Sequence, residues 1–312
     1  MPGRDHLESD FVAALDFGGT KIDVAVADLH GRLLEQRRLL TEAHLGAEQA
    51  MERALRAARS LVSSAIELRG GRCVAVGAVS PGVILPDRVL LSPNIPGWEE
   101  VALHECVRNG LELTHTVVGN DVKAAALAEA RWGNLRDADP AVYLSLGTGV
   151  ASALVVGGRV LNGAHGASGE IGYNLRLRPG EVGFTAGHAP LEEAVGGRAI
   201  GERGSQLLGR ELDATEVFAS HDTRARQIID DALDELSAHI ANLAILIDPA
   251  RIVVGGGMMS ASERILDSLT SRLKTAVPFP PQIVAACFVQ DASLRGAVAL
   301  ALDATQTLAN GP

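Results

Sequence analysis

Two glycine-rich runs, Asp16-Phe17-Gly18-Gly19-Thr20-Lys21 and Leu146-Gly147-Thr148-Gly149-Val150, each interrupt a pair of apolar segments and so commit this chain to two tight strand turns. Strands are expected over 12–17 and 21–27 around the first, and over 141–146 and 150–156 around the second. A tip without side chains lets backbone N–H groups approach phosphate oxygens, and the hydroxyls of Thr20 and Thr148 add donors. Either run taken alone is more often a plain hairpin turn. Neither is a Walker loop, since no Gly-Lys-Ser/Thr follows a four-residue gap. Neither is a dinucleotide fingerprint, since strand rather than helix follows the glycines.

The rest of the chain alternates between the two periodicities. A third strand is expected over 32–40, and a helix over 47–68, where Met51, Leu55, Ala58 and Leu61 recur at helical spacing. A buried strand over 73–79 runs into Ser80-Pro81-Gly82. A short strand over 114–118 gives way at Asn120-Asp121 to a helix reaching Ala130. A loop-rich region (175–190), helical patterning (191–247), a short strand (252–254) and a terminal helix (293–302) complete the pattern, which predicts an α/β fold with helices on sheet faces.

At 312 residues and a formal net charge of −10, with no basic run, the chain has length for two cored lobes and little to offer nucleic acid. Cys73, Cys106 and Cys287 are far apart in or beside apolar segments and lack disulfide or metal-ligand spacing, so they are expected reduced and partly buried. The amino-terminal residues lack an apolar signal core and no later segment is an uninterrupted apolar span, which predicts a cytoplasmic protein with no membrane partner.

With these motifs in this order, the chain resembles the sugar kinases of the ROK (repressor, open reading frame, kinase) family within the actin and hexokinase superfamily. The matching stretches are LDFGGTK (15–21), VSPG (79–82), SPNIPGW (92–98), GNDVKAAALAE (119–129), LSLGTGV (144–150), GAHGASGEIGY (163–173), IDPARIVVGGG (247–257) and LRGAVALAL (294–302). The resemblance implies a two-lobed actin/hexokinase-like, ribonuclease H-like α/β fold with a ligand cleft between lobes. The small lobe would comprise 10–119 plus 299–312 and the large lobe 120–298, in a homodimer. It implies transfer of the γ-phosphate of ATP, with Mg²⁺, to the primary 6-hydroxyl of a glucose-like hexose; an amino sugar or a cyclitol is the alternative acceptor.

The resemblance carries the general-base role onto Asp121, although Asp at a strand-to-helix junction also serves as a helix N-cap. It gives Asp16 the Mg²⁺ of MgATP, where the bland alternative is a turn-forming aspartate. Asn94, Asn120, Asp121, Glu170 and Glu192 would bond sugar hydroxyls, though Asn94 and Glu170 also suit ordinary turn chemistry or solvated charge. Gly18, Gly19, Thr20, Gly147, Thr148 and Gly149 would cradle phosphates, and Gly255, Gly256 and Gly257 would admit the rest of the nucleotide. Trp98 is either a wall of the cleft or simply core.

The chain departs from the family at one place. Many members hold a structural zinc through a His ending GEIGH and three cysteines in CxCGxxGCxE. Tyr173 stands where that His would be, and GFTAGHAPLE (183–192) contains no cysteine, so no structural zinc is expected. Tyr173 becomes a candidate for setting the acceptor. The family's repressors carry a helix-turn-helix ahead of the first glycine motif; only 15 residues precede Asp16 here, which favours the kinase reading. A catalytically silent sugar sensor is the remaining alternative.

Overall fold

The computed structural model describes residues 9–92 and 94–309. They divide into two compact units: one runs to Ala128 and takes in Ala164–Gly166 and the segment from Asp291, the other comprises Glu129–Gly163 and Ala167–Gln290. In chain order, the first unit supplies β1 (Phe11–Phe17), β2 (Lys21–Asp28), β3 (Leu33–Leu40), α1 (Ala47–Arg69), β4 (Cys73–Ser80), the short hairpin β5 (Val83–Ile84) and β6 (Val89–Leu90), α2 (Leu103–Leu111) and β7 (Thr116–Asn120). Helix α3 (Asp121–Trp132) follows. Next come β8 (Ala141–Leu146), β9 (Val150–Val156), β10 (Arg159–Val160), α4 (Glu192–Val195), α5 (Gly197–Leu208), α6 (Ala214–Phe218), α7 (Thr223–Ile247), β11 (Arg251–Gly255), α8 (Ser262–Ala276) and β12 (Gln282–Ala285). The last helix is α9 (Ala292–Ala309).

Each unit contains a five-stranded sheet, ordered β3-β2-β1-β4-β7 in the first and β10-β9-β8-β11-β12 in the second. In both, an antiparallel meander is followed by two strands parallel to its first member. The same topology thus occurs twice, without a repeat visible in the sequence.

Local chemistry accounts for the element ends. Helix α1 buries Ala50, Met51, Ala54, Leu55, Ala58 and Leu61 on one face and stops at Gly70, left-handed at φ 70°, whose N–H bonds the Ile66 carbonyl at 2.8 Å. A capping box between Asp213 and Glu216 starts α6, and the Asp222 carboxylate starts α7. Trp98, fully buried, tilts against Phe17 at a centroid distance of 5.1 Å and donates its indole N–H to Ser80 Oγ at 2.8 Å. It is core. Helix α9 packs on β1 and β4, and a Cβ at Gly77 of β4 would lie 1.9 Å from the Ala297 carbonyl oxygen, so this close crossing requires glycine.

The expected helical stretch over 191–247 is broken where the Gly196-Gly197 pair separates α4 from α5 and at the Asp213 and Asp222 caps. Cys73 and Cys106 are partly buried as expected, whereas Cys287 is exposed, because it follows the edge strand β12. Among the described residues no helix is long and apolar enough to cross a membrane.

Candidate active site

In the first unit β1, β4 and β7 run parallel, with Asp16 opposite Val79 and Ser80 opposite Asn120. Their carboxyl ends therefore lie side by side, the edge at which open α/β sheets present ligand sites. Asp16, Ser80-Pro81-Gly82 and Asn120-Asp121 share this edge.

Asn120 closes β7, and its side chain caps α3: Oδ1 accepts the Lys123 N–H at 2.9 Å while Nδ2 donates to the Gly82 carbonyl at 2.9 Å. The capping position belongs to Asn120, and Asp121 is the first helical residue, with Oδ1 accepting the Val122 N–H at 2.8 Å. Burial pushes the Asp121 carboxyl up to about 6, against the opposing pull of the Val122 and Asp121 N–H groups. Burial also holds the Asp16 carboxyl well above the usual carboxylate range, reinforced by the negative charges of Asp121 and Asp23 and opposed by Arg38.

Asp23 and Arg38 were not foreseen from sequence. Asp23 stands opposite Asp16 on β2, and Arg38 stands opposite Asp23 on β3, donating Nε and Nη2 to its two carboxylate oxygens at 2.8 and 2.9 Å. The available signal was a buried acid alternating within the apolar run Lys21–Asp28. Lys123, also buried, donates Nζ to the Gly166 carbonyl.

At the hairpin tip, a Cβ on Gly19 would lie 2.8 Å from Asn94 Cβ, and one on Gly18 would lie 2.7 Å from the Lys21 carbonyl oxygen. Both glycines thus have a reason within the fold, and the first brings Asn94 against the tip. Thr20 is exposed there, and Thr41 braces the turn by donating Oγ1 to the Gly18 carbonyl at 2.6 Å.

In the second unit the parallel strands β8 and β11 end together, with Ser145 opposite Gly255. This sets Gly147-Thr148-Gly149 beside Gly255-Gly256-Gly257. A Cβ on Gly255 would meet the Tyr143 hydroxyl at 2.2 Å, and one on Gly256 the Leu146 carbonyl oxygen at 2.3 Å. A Cβ on Gly257 would meet nothing within 4 Å, and one on Gly147 only the Gly257 nitrogen at 3.9 Å. These two leave open backbone that packing does not explain. The first amides of α5 bond the hairpin, Gly197 N–H to the Gly147 carbonyl at 2.9 Å and Arg198 N–H to that of Thr148 at 3.1 Å, which brings a positive helix end to it.

Glu192 lies against the same hairpin: Oε2 accepts the Val150 N–H at 3.2 Å, and a Cβ on Gly149 would fall 2.0 Å from that oxygen. Glu170 precedes the single turn Ile171–Tyr173, which packs on β9 and sets Gly172 close to Glu192. The Tyr173 ring meets Phe184 edge-on, centroids 5.6 Å apart. The candidate residues therefore form two groups, Asp16, Gly18–Thr20, Asn94, Asn120 and Asp121 in the first unit and the remainder in the second.

The negative charges of Asp121 and Asp23 act on Asp16, with Arg38 opposing them, and a bound cation would offset that repulsion. Among the described residues no group of three or more His, Cys, Asp or Glu could hold a metal ion. A cation at Asp16 would therefore take most of its ligands from phosphate and water, as Mg²⁺ commonly does.

The family profile described as the ROK family matches residues 12–304. The bifunctional enzyme NanE/NanK of Brucella melitensis biotype 1 is 32% identical over 316 residues, covering 96% of this chain and 56% of that protein. The chain thus spans about half the length of that relative. The N-acetylmannosamine kinase of Escherichia coli O157:H7 is 31% identical over 296 residues, covering 92% of this chain and 97% of that protein. Among solved structures, a ROK family glucokinase from Streptomyces griseus in complex with glucose and AMPPNP superposes with a TM-score of 0.76 at 27% identity, covering 94% of this chain and 99% of the other.

Proposed function

The chain belongs to the ROK family, and from that premise we propose that it is an ATP-dependent sugar kinase acting on the primary 6-hydroxyl of a glucose-like hexose. The observation that carries this reading is Asp121: a carboxyl at the carboxyl end of a parallel strand, relieved of the capping role by Asn120 and pushed by burial up to about 6. Such a group is mostly ionised at neutral pH and accepts a proton without being a strong base.

The acceptor hydroxyl gives its proton to the Asp121 carboxylate as its oxygen bonds to the γ-phosphorus, and the bond from that phosphorus to the β–γ bridging oxygen breaks, releasing ADP. Asp16 would hold Mg²⁺, which when bound neutralises phosphate charge. The open backbone at Gly147 and Gly257 supports nucleotide contact there, and the amino end of α5, whose first N–H groups are taken by the hairpin carbonyls, adds its dipole. Asn94 and Asn120 would orient acceptor hydroxyls, as would Glu170, Glu192 and Tyr173. Asn120 has part of its amide engaged by Gly82 and Lys123, and Glu192 has one oxygen on Val150.

A second acceptor class is favoured by one comparison, since a relative 31% identical is an N-acetylmannosamine kinase. ADP release measured over hexoses, amino sugars, N-acetylated sugars and cyclitols separates the two. A glucose-like hexose should give the highest kcat/KM; an N-acetylhexosamine or cyclitol in that place would contradict the glucose reading and keep the kinase. ATP binding without turnover on any acceptor would favour the sensor.

A further inference from the structure

The second unit contains an open pocket of about 750 Å³ whose lining none of the candidate active-site residues joins. Three arginines share that lining, Arg176 and Arg178 from the segment after Tyr173 and Arg203 from α5. Arg176 and Glu235 are both largely buried, with side chains 15% and 19% exposed, and Arg176 grips the two Glu235 oxygens through Nε and Nη2. Arg178 donates to the same carboxylate at 3.3 Å.

One carboxylate therefore serves two guanidinium groups. Arg203 makes no ion pair among the described residues: Nε and Nη2 donate to the Ala199 and Ala194 carbonyls of its own neighbourhood. Partial burial lowers its pKa first and Arg176 lowers it further, with Arg178 adding to the effect and Asp231 and Glu235 opposing it. The other acids on the lining are more exposed and each has a partner, Asp234 on Arg272, Glu193 on His188 and Asp231 on Gln227. The lining thus carries four carboxylates and three guanidinium groups, of which Arg203 makes no ion pair among the described residues, and an entering phosphate would give it an anionic partner.

We propose that this pocket is a second ligand site, taking the phosphate monoester of a small polyhydroxylated molecule. Arg176, Arg178 and Arg203 would take the phosphate, and the rim carboxylates Glu193 and Asp231 would accept hydroxyl donors. The volume falls within the range of small-molecule sites, roughly 300–1,000 Å³. Arg176 lies three residues after Tyr173, and Glu193 is next to Glu192, so a ligand here touches segments that also carry the candidate acceptor residues.

The proposal does not rest on the kinase reading, because its readout is binding rather than turnover. The full chain is titrated calorimetrically with glucose 6-phosphate, inorganic phosphate and glucose, in wild type, Arg203→Ala and Arg178→Ala. Glucose 6-phosphate should bind wild type, and each substitution should weaken it by roughly tenfold or more, the loss expected for a charge-assisted hydrogen bond. Arg178 is 63% exposed and contacts Glu235 alone among its ion pairs, so that variant tests the site even if Arg203→Ala unfolds. An isotherm unchanged by Arg178→Ala and by a folded Arg203→Ala would place the ligand elsewhere and overturn the proposal. So would the absence of glucose 6-phosphate binding, or inorganic phosphate binding as tightly as the sugar phosphate.

Discussion

Neighbouring side chains divide the work at Asn120 and Asp121. The amide of Asn120 satisfies the first turn of α3, so the partly buried Asp121 carboxylate is left with the Val122 N–H on its Oδ1. Its folded pKa, about 6, lies above that of an unfolded carboxyl, so the native state binds more protons between the two values. Stability from this group is lost as pH rises through that window. Asp121→Asn should therefore raise the thermal midpoint at neutral pH, by on the order of 1–3 kcal/mol in stability, while calorimetry shows nucleotide binding intact. In wild type the limb of kcat/KM should rise with pH through about 6 as Asp121 ionises, and a flat limb there would remove the base role. Asp23 and Arg38 act at the same scale. Arg38→Met strands the buried Asp23 carboxylate beside Asp16 and should cost about 1–3 kcal/mol in denaturant unfolding. The sequence marks Asp16 and Asp121 because both sit in compact motifs. It hides the Asp23–Arg38 pair because cross-strand register, not chain proximity, makes it.

The strands bounded by the two glycine hairpins and the helix ending at Gly70 were legible in the sequence, whereas the Gly196-Gly197 break and the Asp213 and Asp222 caps within 191–247 were not. Strands β8 and β9 fall where the apolar runs end at Gly147 and Gly149, and α1 ends at Gly70 beyond its last periodic residue. Helices α2 and α8 and the edge strand β12 were not read: α2 and β12 are short, whereas Ile265, Leu269 and Leu273 of α8 recur every four residues opposite a charged face, a helical signal that was present and missed. The turn Ile171–Tyr173 is the element on which acceptor choice is proposed to depend. Tyr173→Phe keeps the edge-on contact with Phe184 and removes only the hydroxyl, so it isolates that group. It should change kcat/KM unequally across the acceptor panel, by up to roughly 1–3 kcal/mol where a buried partner is stranded, and leave KM for ATP nearly unchanged. A small uniform effect would make Tyr173 a packing residue.

At the scale of the whole molecule, the order of motifs carried more than any single one. A glycine hairpin is common, but two of them, each heading a sheet of the same strand order, belong to the architecture matched across residues 12–304. What sequence did not convey was which glycines the fold itself demands. Gly18, Gly19, Gly255 and Gly256 answer to neighbouring atoms, while Gly147 and Gly257 have open space. The loop that lacks cysteine should leave the protein zinc-free: elemental analysis of protein purified without added zinc should find no stoichiometric Zn²⁺, and EDTA inhibition should be reversed by excess Mg²⁺ alone. One tightly held zinc per chain would contradict this. The most direct test of the account is acceptor-dependent ADP release by wild type and Asp121→Asn, with nucleotide binding measured on both. The account predicts turnover in wild type and a loss on the order of 10²–10⁴-fold in kcat for the variant at unchanged nucleotide affinity. Equal turnover by the two proteins, or no sugar-dependent ADP formation by a wild type that binds ATP, would contradict it.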